Sequence, residues 1–351
     1  MGDQSEALLE RVRAARAERR PLCPRGTGGK SHLGRPVDGE ILDTLEHSGV
    51  VHYDPSELVV TARAGTRVSQ LIATLAEQDQ MLPFEPPLFG GDASVGGMVA
   101  SGLAGPRRPW AGSVRDFVLG TRVITGEGQH LRFGGEVMKN VAGYDLSRLM
   151  AGSFGCLGLI TEVSFKVLPR PRASRSLQLR LTGEQARERV LDWRRRGLPL
   201  SAACHGGGLL RIRLEGNQGS VHAAVAEIGG EPLEDSHYWD KLRDHRLPFF
   251  DGAKPLWRLS LPPAAPVLEL PGTQLSDWGG AQRWLKSDAD TATLRQLAAS
   301  AGGSATRFGG EEPEDAPFHP LPAALLRYHQ TLKARLDPER IFNPGRLYAD
   351  L

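Results

Sequence analysis

Short apolar runs alternate with turn residues through the first half of the chain. Residues 49–53, 58–62, 117–125, 129–133 and 159–168 are rich in Val, Ile, Leu and Thr and bounded by Gly, Pro or Asp, a pattern that predicts strands. Between them, Val68, Leu71, Ile72 and Leu75 recur at helical spacing before polar residues 77–80. Near the start, Leu8, Leu9 and Val12 fall on one stripe behind Ser5, predicting a short amphipathic helix with Ser5 as its N-cap. Strands mixed with few helices predict an α+β domain over residues 21–171.

Two prolines and two arginines at residues 169–173 mark a boundary. Beyond it, Leu177, Leu179 and Leu181 alternate as in a strand, 183–196 reads as a helix, 209–214 as a strand and 220–228 as a helix. This order predicts a smaller layered domain with helices on one face of a sheet. Residues 256–261 and 280–285 are further strands, and 291–301 is a helix ended by Gly302. An acidic, proline-rich, exposed loop follows at 309–320, then a helix over 322–336, Asp337-Pro338 and the turn Asn343-Pro344-Gly345-Arg346. The sequence shows no internal repeat or low-complexity tract.

Composition narrows the class. The chain has 351 residues and a formal charge of +2, with basic and acidic residues interleaved, so it carries no broad basic face for nucleic acid. Cys23, Cys156 and Cys204 are isolated, which fits a reducing compartment and excludes an iron–sulfur cluster held by closely spaced thiolates within the chain. The N-terminal arginines are interrupted by Asp3, Glu6, Glu10 and Glu18 and lack a signal-peptide apolar run. No apolar stretch is long enough to span a bilayer. The expectation is a cytoplasmic protein without a transmembrane segment, with peripheral attachment to the inner face of the cell membrane left open.

The first chemical signal is Arg25-Gly26-Thr27-Gly28-Gly29-Lys30-Ser31, after a strand end at Leu22-Cys23. Glycines without a Cβ and with access to positive φ let several backbone N–H groups turn toward one anion, and Thr27, Ser31, Lys30 and Arg25 add hydroxyls and charge. A bare turn is the simpler alternative. A mononucleotide P-loop does not fit, because the gap and the following helix of GxxxxGK[ST] are missing, and no GxGxxG opens a helix after a strand. The second signal runs from Phe89 to Gly102. Ser94 caps a short helix whose free N–H groups favour an anion, and Gly96, Gly97 and Ala100 permit close approach, unless these small residues serve only helix packing.

These loops resemble, in order and spacing, the FAD-binding domain of the vanillyl-alcohol oxidase / PCMH family. So do Gly112-Ser113-Val114-Arg115-Asp116, Lys139-Asn140-Val141-Ala142-Gly143-Tyr144-Asp145-Leu146, the run from Gly152 to Glu162, and Asp337-Pro338 with Ile341 to Arg346. Within that family, the overall length, residues 139–146 and the segment from Trp278 to Leu285 look most like the FAD-binding E subunits of bacterial glycolate oxidases. The resemblance implies a PCMH-type domain of two α+β subdomains over 1–171, a reduced, ferredoxin-like α+β cap over 172–318, and a C-terminal helix and turn over 319–351 returning to the FAD domain. It puts Arg25, Gly26, Thr27, Gly28, Gly29, Lys30 and Ser31 around the pyrophosphate. Asp92, Ser94, Val95, Gly96, Gly97, Ala100 and Ser101 would run along the ADP and flavin, with Gly112, Ser113 and Asp116 on the next contact loop. Leu159, Ile160 and Thr161 would border the adenine, and Asn343 and Arg346 the isoalloxazine or ribityl region. Many relatives carry a flavin-linked His where this chain has Lys30, so the FAD is expected to be non-covalent.

The related 2-hydroxyacid dehydrogenases carry a paired-histidine HxGDGNxH metal motif that this chain lacks; His205-Gly206-Gly207-Gly208 stands at the comparable place, and no metal is expected. His205 reads as a loop residue. Arg258 and Arg283 are the catalytic candidates, expected with Trp278 on short strands; Arg283 reads equally as a carboxylate clamp or as a packing or interface residue. Two functions remain. One is an accessory, electron-transferring FAD subunit of a glycolate-oxidising complex, partnered by a larger FAD-binding 2-hydroxyacid dehydrogenase subunit and an iron–sulfur subunit. The other is a self-sufficient FAD-dependent oxidoreductase acting on a small 2-hydroxy acid or alcohol. A scaffold that has lost its flavin fits the intact loops less well.

Overall fold

The computed structural model describes residues 2–135, 145–309 and 316–351. Residues 139–144 of the run that carries the resemblance and residues 310–315 of the acidic loop lie outside the described residues. The chain divides into two compact units, one of Met1–Leu103, Ser113–Pro169 and Pro320–Leu351, the other of Ala104–Gly112 and Arg170–His319. Both mix helices and sheet, as the α+β patterning requires. No helix among the described residues is long and apolar enough to cross a membrane.

In the first unit a five-stranded antiparallel sheet runs in the order Val50–Asp54, Val59–Arg63, Leu159–Lys166, Val118–Ile124, His130–Gly134. The central strand Leu159–Lys166 is buried along nearly its whole length, which matches its largely apolar and small-polar sequence, with the buried Glu162 facing Arg122. Beside it, Leu22–Arg25 pairs in parallel with Glu40–Asp43, a strand whose alternation is too short and too acidic to be visible in the sequence. The N-terminal helix Ser5–Ala17 sets Leu8, Leu9, Val12 and Ala15 onto Leu22, Leu42, Ile124, Leu159, Ile341 and Phe342. Ser5 is not the cap expected of it: it is the first helical residue, and its N–H donates to the Asp3 carboxylate at 2.9 Å.

The chain's last residues return to its first strand. Leu22 N–H donates to Ile341 O, and Asn343 N–H to Leu22 O at 2.9 Å, so residues 341–343 lie alongside Leu22–Arg25. A buried ion pair fixes this return. Lys333, on the helix Ala323–Leu336, donates from Nζ to Asp337 Oδ2 at 2.7 Å, Cys156 O at 2.8 Å and Phe342 O at 2.6 Å. Asp337 in turn accepts from the N–H groups of Ile341 and Phe342 at 3.0 and 2.8 Å. Gly126 lies against this turn so closely that a Cβ there would stand 2.6 Å from the Asp337 Cα.

The second unit contains one eight-stranded antiparallel sheet built from two copies of the same strand order. Ala173–Arg180, helix Gly183–Arg195, Leu200–Gly206, Leu209–Gly216, helix Gln218–Ile228 and Glu231–Pro232 form a βαββαβ unit in which the fourth, first, third and second strands lie side by side. That is the ferredoxin-like arrangement. Leu256–Ser260, Thr273–Asp277, Gln282–Lys286, helix Thr291–Ser300 and Ser304–Arg307 repeat it in mirrored spatial order. The two copies join through their second strands at the single pair His205 with Ser276. In the second copy the first crossover, residues 261–272, is not helical: Pro262, Pro263, Pro266 and Pro271 remove amide donors and lock φ.

Removing one partner of the buried ion pair strands the other charge without water. Lys333→Met is expected to cost about 3–5 kcal/mol in a urea unfolding experiment, and Lys333→Met with Asp337→Leu to recover part of it. A single-variant loss below about 1 kcal/mol would count against this pair as the fixing contact.

Candidate FAD site

The glycine-rich loop after Leu22–Arg25 lines a cleft of about 360 Å³ in the first unit. Residues 25–31 all border it, with Ser94, Gly97, Ala100 and Ser101 on one side and Asn343 and Arg346 on another. A smaller cavity of about 70 Å³ shares Arg25, Gly26, Gly97 and Ala100 with it and extends to Leu159 and Ile160. Together they make an elongated track through which a dinucleotide can lie.

The loop's conformation suits an anion. Ser31 N–H donates to Gly28 O at 3.0 Å and Leu33 N–H to Lys30 O at 3.1 Å, while the N–H groups of Gly26 to Gly29 take no backbone partner among the described residues. Gly28 has φ +76°, and a Cβ there would lie 3.0 Å from the Arg25 guanidinium, so glycine lets the loop wrap that side chain. Gly26 packs against Ser94, whose Cβ would be 2.7 Å from an added Cβ. Arg346 crosses from the C-terminal turn and donates to Leu33 O at 2.8 Å and Ser31 O at 3.3 Å. Burial lowers the pKa of His32, as do the charges of Lys30 and Arg346, so the imidazole stays neutral at pH 7 beside two cations. Burial also lowers the pKa of Arg346. Positive charge in a half-buried cleft favours a polyanionic ligand.

The helix after Ser94 behaves differently from expectation. Its first N–H groups are not free: Val95 donates to Thr66 O at 2.9 Å, Gly96 to Ala64 O at 2.8 Å and Gly97 to the Ser94 hydroxyl at 3.2 Å. The seven-residue helix Val95–Ser101 therefore offers small side chains rather than an anion hole, and Gly96 is required because a Cβ would meet Ala64 Cβ at 2.9 Å. Other expected contacts also serve the scaffold. Asp92 bonds Ser69 Oγ at 2.6 Å, Ser113 and Asp116 form a capping box, and the fully buried Thr161 donates to Arg122 O at 3.1 Å. Gly112 falls in the second unit. None of these borders the main cleft.

Sequence reasoning missed Cys23, Pro24, Val37, Gly39, Ile41 and Phe154, which also line the cleft. Only the Gly152–Gly155 cluster hinted at Phe154, which sits at φ +52°. Asn343 is the clearest sign that a ligand is expected: Nδ2 donates to Phe154 O at 2.8 Å, but the buried Oδ1 has no partner. An unsatisfied buried acceptor costs about 1–3 kcal/mol and fits a ligand donor at that place.

In the second unit, register separates the two arginine candidates. Leu256–Ser260 and Gln282–Lys286 pair with Arg258 opposite Trp284 and Leu259 opposite Arg283. Residues directly opposite share a face, so Arg258 and Arg283 point to opposite sides of the sheet and cannot clamp one carboxylate together. Trp278 is not on a strand: it opens a tight turn at φ +56°.

Comparison with known proteins agrees with the geometry. Residues 3–134 match a family described as an FAD binding domain. The glycolate oxidase subunit GlcE of Escherichia coli (strain K12) is 56% identical over 349 residues, covering 99% of each chain. The chain belongs to the GlcE family of glycolate oxidase subunits. The GlcD subunit of Bacillus subtilis (strain 168) is 31% identical over 159 residues, 45% of this chain and 34% of that one. An alkyldihydroxyacetonephosphate synthase structure superposes with a TM-score of 0.69 at 17% identity, over 97% of this chain and 74% of the other, which shows a shared fold. As a member of this family the chain is an FAD-dependent oxidoreductase.

Arg25→Ala, which removes charge from the loop, and Gly97→Val, which puts a side chain into the cleft, are each expected to lower FAD occupancy several-fold at unchanged thermal stability of the apoprotein. Absorbance at the flavin band after desalting measures it. Acid precipitation is expected to release the yellow colour into the supernatant, because Lys30 cannot form the histidyl link; a coloured washed pellet would contradict this.

Proposed function

We propose that this chain is the FAD-binding subunit of an enzyme complex oxidising glycolate to glyoxylate, with an accessory, electron-transferring role. The observation that carries the reading is the end-to-end match to GlcE, which includes both units and the C-terminal return. In this reading residues 1–171, apart from 104–112, which group with the second unit, are the FAD domain, 172–318 the reduced cap and 319–351 the segment that closes the flavin cleft. The backbone N–H groups and cations of residues 25–31 hold the pyrophosphate. Ser94, Gly97, Ala100 and Ser101 form a wall without bulk, Leu159 and Ile160 border the adenine, and Asn343 and Arg346 meet the flavin end. FAD, when bound, supplies a two-electron acceptor.

Accessory status is supported by what the sequence carries. It has neither the paired-histidine motif of the hydroxyacid dehydrogenases nor closely spaced thiolates. Substrate chemistry then falls to a larger FAD-binding 2-hydroxyacid dehydrogenase subunit, and onward transfer to an iron–sulfur subunit. The partial match to GlcD supports this division, since it is confined to 45% of this chain. The complex is assigned to the cytoplasm, with any membrane attachment made through partners.

Expressed alone, the chain is expected to bind FAD yet to reduce a dye with glycolate at under about a hundredth of the rate of the co-expressed complex. Turnover by the isolated chain comparable to that of the complex would establish the self-sufficient enzyme instead. Loss of FAD from a folded chain would remove both readings.

A further inference from the structure

We propose that the second unit contains a binding site for a small organic monocarboxylate, separate from the FAD cleft and anchored by Arg283. The site is a cavity of about 270 Å³ at the seam where the two ferredoxin-like copies meet. It lies beside the proline-rich crossover, which contributes Val267, on the face shared with the first copy's crossover helix Gly183–Arg195. Where the second copy lacks the equivalent helix, the crossover packs Leu261, Ala265 and Leu270 on the sheet instead.

Arg283 supplies the reason to expect an anion. It is 4% exposed. Its Nη2 donates to Ala265 O at 3.0 Å and its Nε to Gly280 O at 3.4 Å, but the buried Nη1 has no hydrogen-bond partner. No carboxylate of the described residues makes an ion pair with it. Glu184, the acidic group whose charge reaches it, is already engaged by Arg187, whose own charge opposes that of Arg283. A guanidinium held this way by carbonyls alone keeps a whole positive charge out of water, which is costly unless an anion joins it.

The rest of the cavity defines the class of anion. Ser276 and Gln274 add polar groups on the seam strand, and His205 donates from Nε2 to Leu181 O at 2.9 Å, which leaves its Nδ1 as an acceptor. Ala186, Val190 and Val267 form an apolar wall. One uncompensated cation matches one negative charge, and the apolar wall matches a short hydrocarbon body. At about 30 Å³ per water the space holds roughly nine waters. That suits an acid of a few carbons, not a nucleotide. Gly279 and Gly280, at φ +63° and +102°, turn the chain so that the Gly280 carbonyl can hold the arginine. The site does not rest on the flavin assignment.

Calorimetric titration of the purified full chain with sodium isobutyrate, at constant ionic strength, tests the site. Saturable one-to-one binding is expected, with isobutyramide, the neutral isostere, and inorganic phosphate each at least tenfold weaker. Arg283→Gln is expected to weaken isobutyrate at least tenfold. Because that variant disturbs two carbonyl contacts, Gly183→Leu provides an independent check. Its Cβ would stand 3.5 Å from Val267 and 3.8 Å from His205, so the leucine fills the cavity while Arg283 stays in place. Loss of binding in folded Gly183→Leu supports the site. Absence of saturable binding to the wild type overturns the proposal, as does equal affinity for the amide or phosphate, or binding undiminished by Gly183→Leu.

Discussion

The buried pair of Lys333 and Asp337 is the contact on which the first unit's cleft depends. All three ammonium hydrogens of the lysine have acceptors, and both carboxylate oxygens of the aspartate take backbone donors. Such a pair need not add net stability over apolar residues of the same shape. What it does is specify geometry: its partners are backbone groups of Cys156, Ile341 and Phe342, so only one path of the chain satisfies both charges. That path lays residues 341–343 against Leu22–Arg25 and carries Asn343 and Arg346 to the glycine-rich loop.

From that arrangement the electrostatics of the cleft follow. The loop contributes the N–H groups of Gly26 to Gly29, which take no backbone partner among the described residues, with Arg25 and Lys30, and the C-terminal turn contributes Arg346. Cationic groups from opposite ends of the sequence meet within one half-buried space, and His32 beside them stays neutral. The helix after Ser94, by contrast, has its N–H groups consumed by Thr66, Ala64 and its own cap. Its part is steric: Gly96 and Gly97 keep bulk out where backbone and ligand must come close.

The second unit shows a different constraint, that of an edge. Each ferredoxin-like copy pairs its second strand on one side only, and joining those two outer edges completes one sheet. One copy covers its face with a helix packed on Leu177, Ala203, Leu210 and Ile212. The other replaces the equivalent helix with a proline-rich loop, and the buried Arg283 donates to the Ala265 carbonyl of that loop.

Periodicity was enough to identify the helices around residues 68–76, 183–195, 291–300 and 323–336 and most strands of the first unit, because each buries one face against a continuous core. The strands Glu40–Asp43, Thr273–Asp277 and Ser304–Arg307 stayed hidden because they are short and largely polar, and Leu200–Gly206 because its small residues show no apolar alternation. The two glycine-rich segments suggested a phosphate ligand beside the simpler readings of a turn and of helix packing, and it was their order with the Asn343-Pro344-Gly345-Arg346 turn, as a family resemblance, that pointed to FAD. Tertiary structure alone decided which N–H groups remain free for that ligand, since a donor's availability depends on whether a distant carbonyl reaches it. It alone also put Arg258 and Arg283 on opposite faces, because a side chain's direction in a sheet is fixed by register, and register is a property of pairs of strands rather than of either strand.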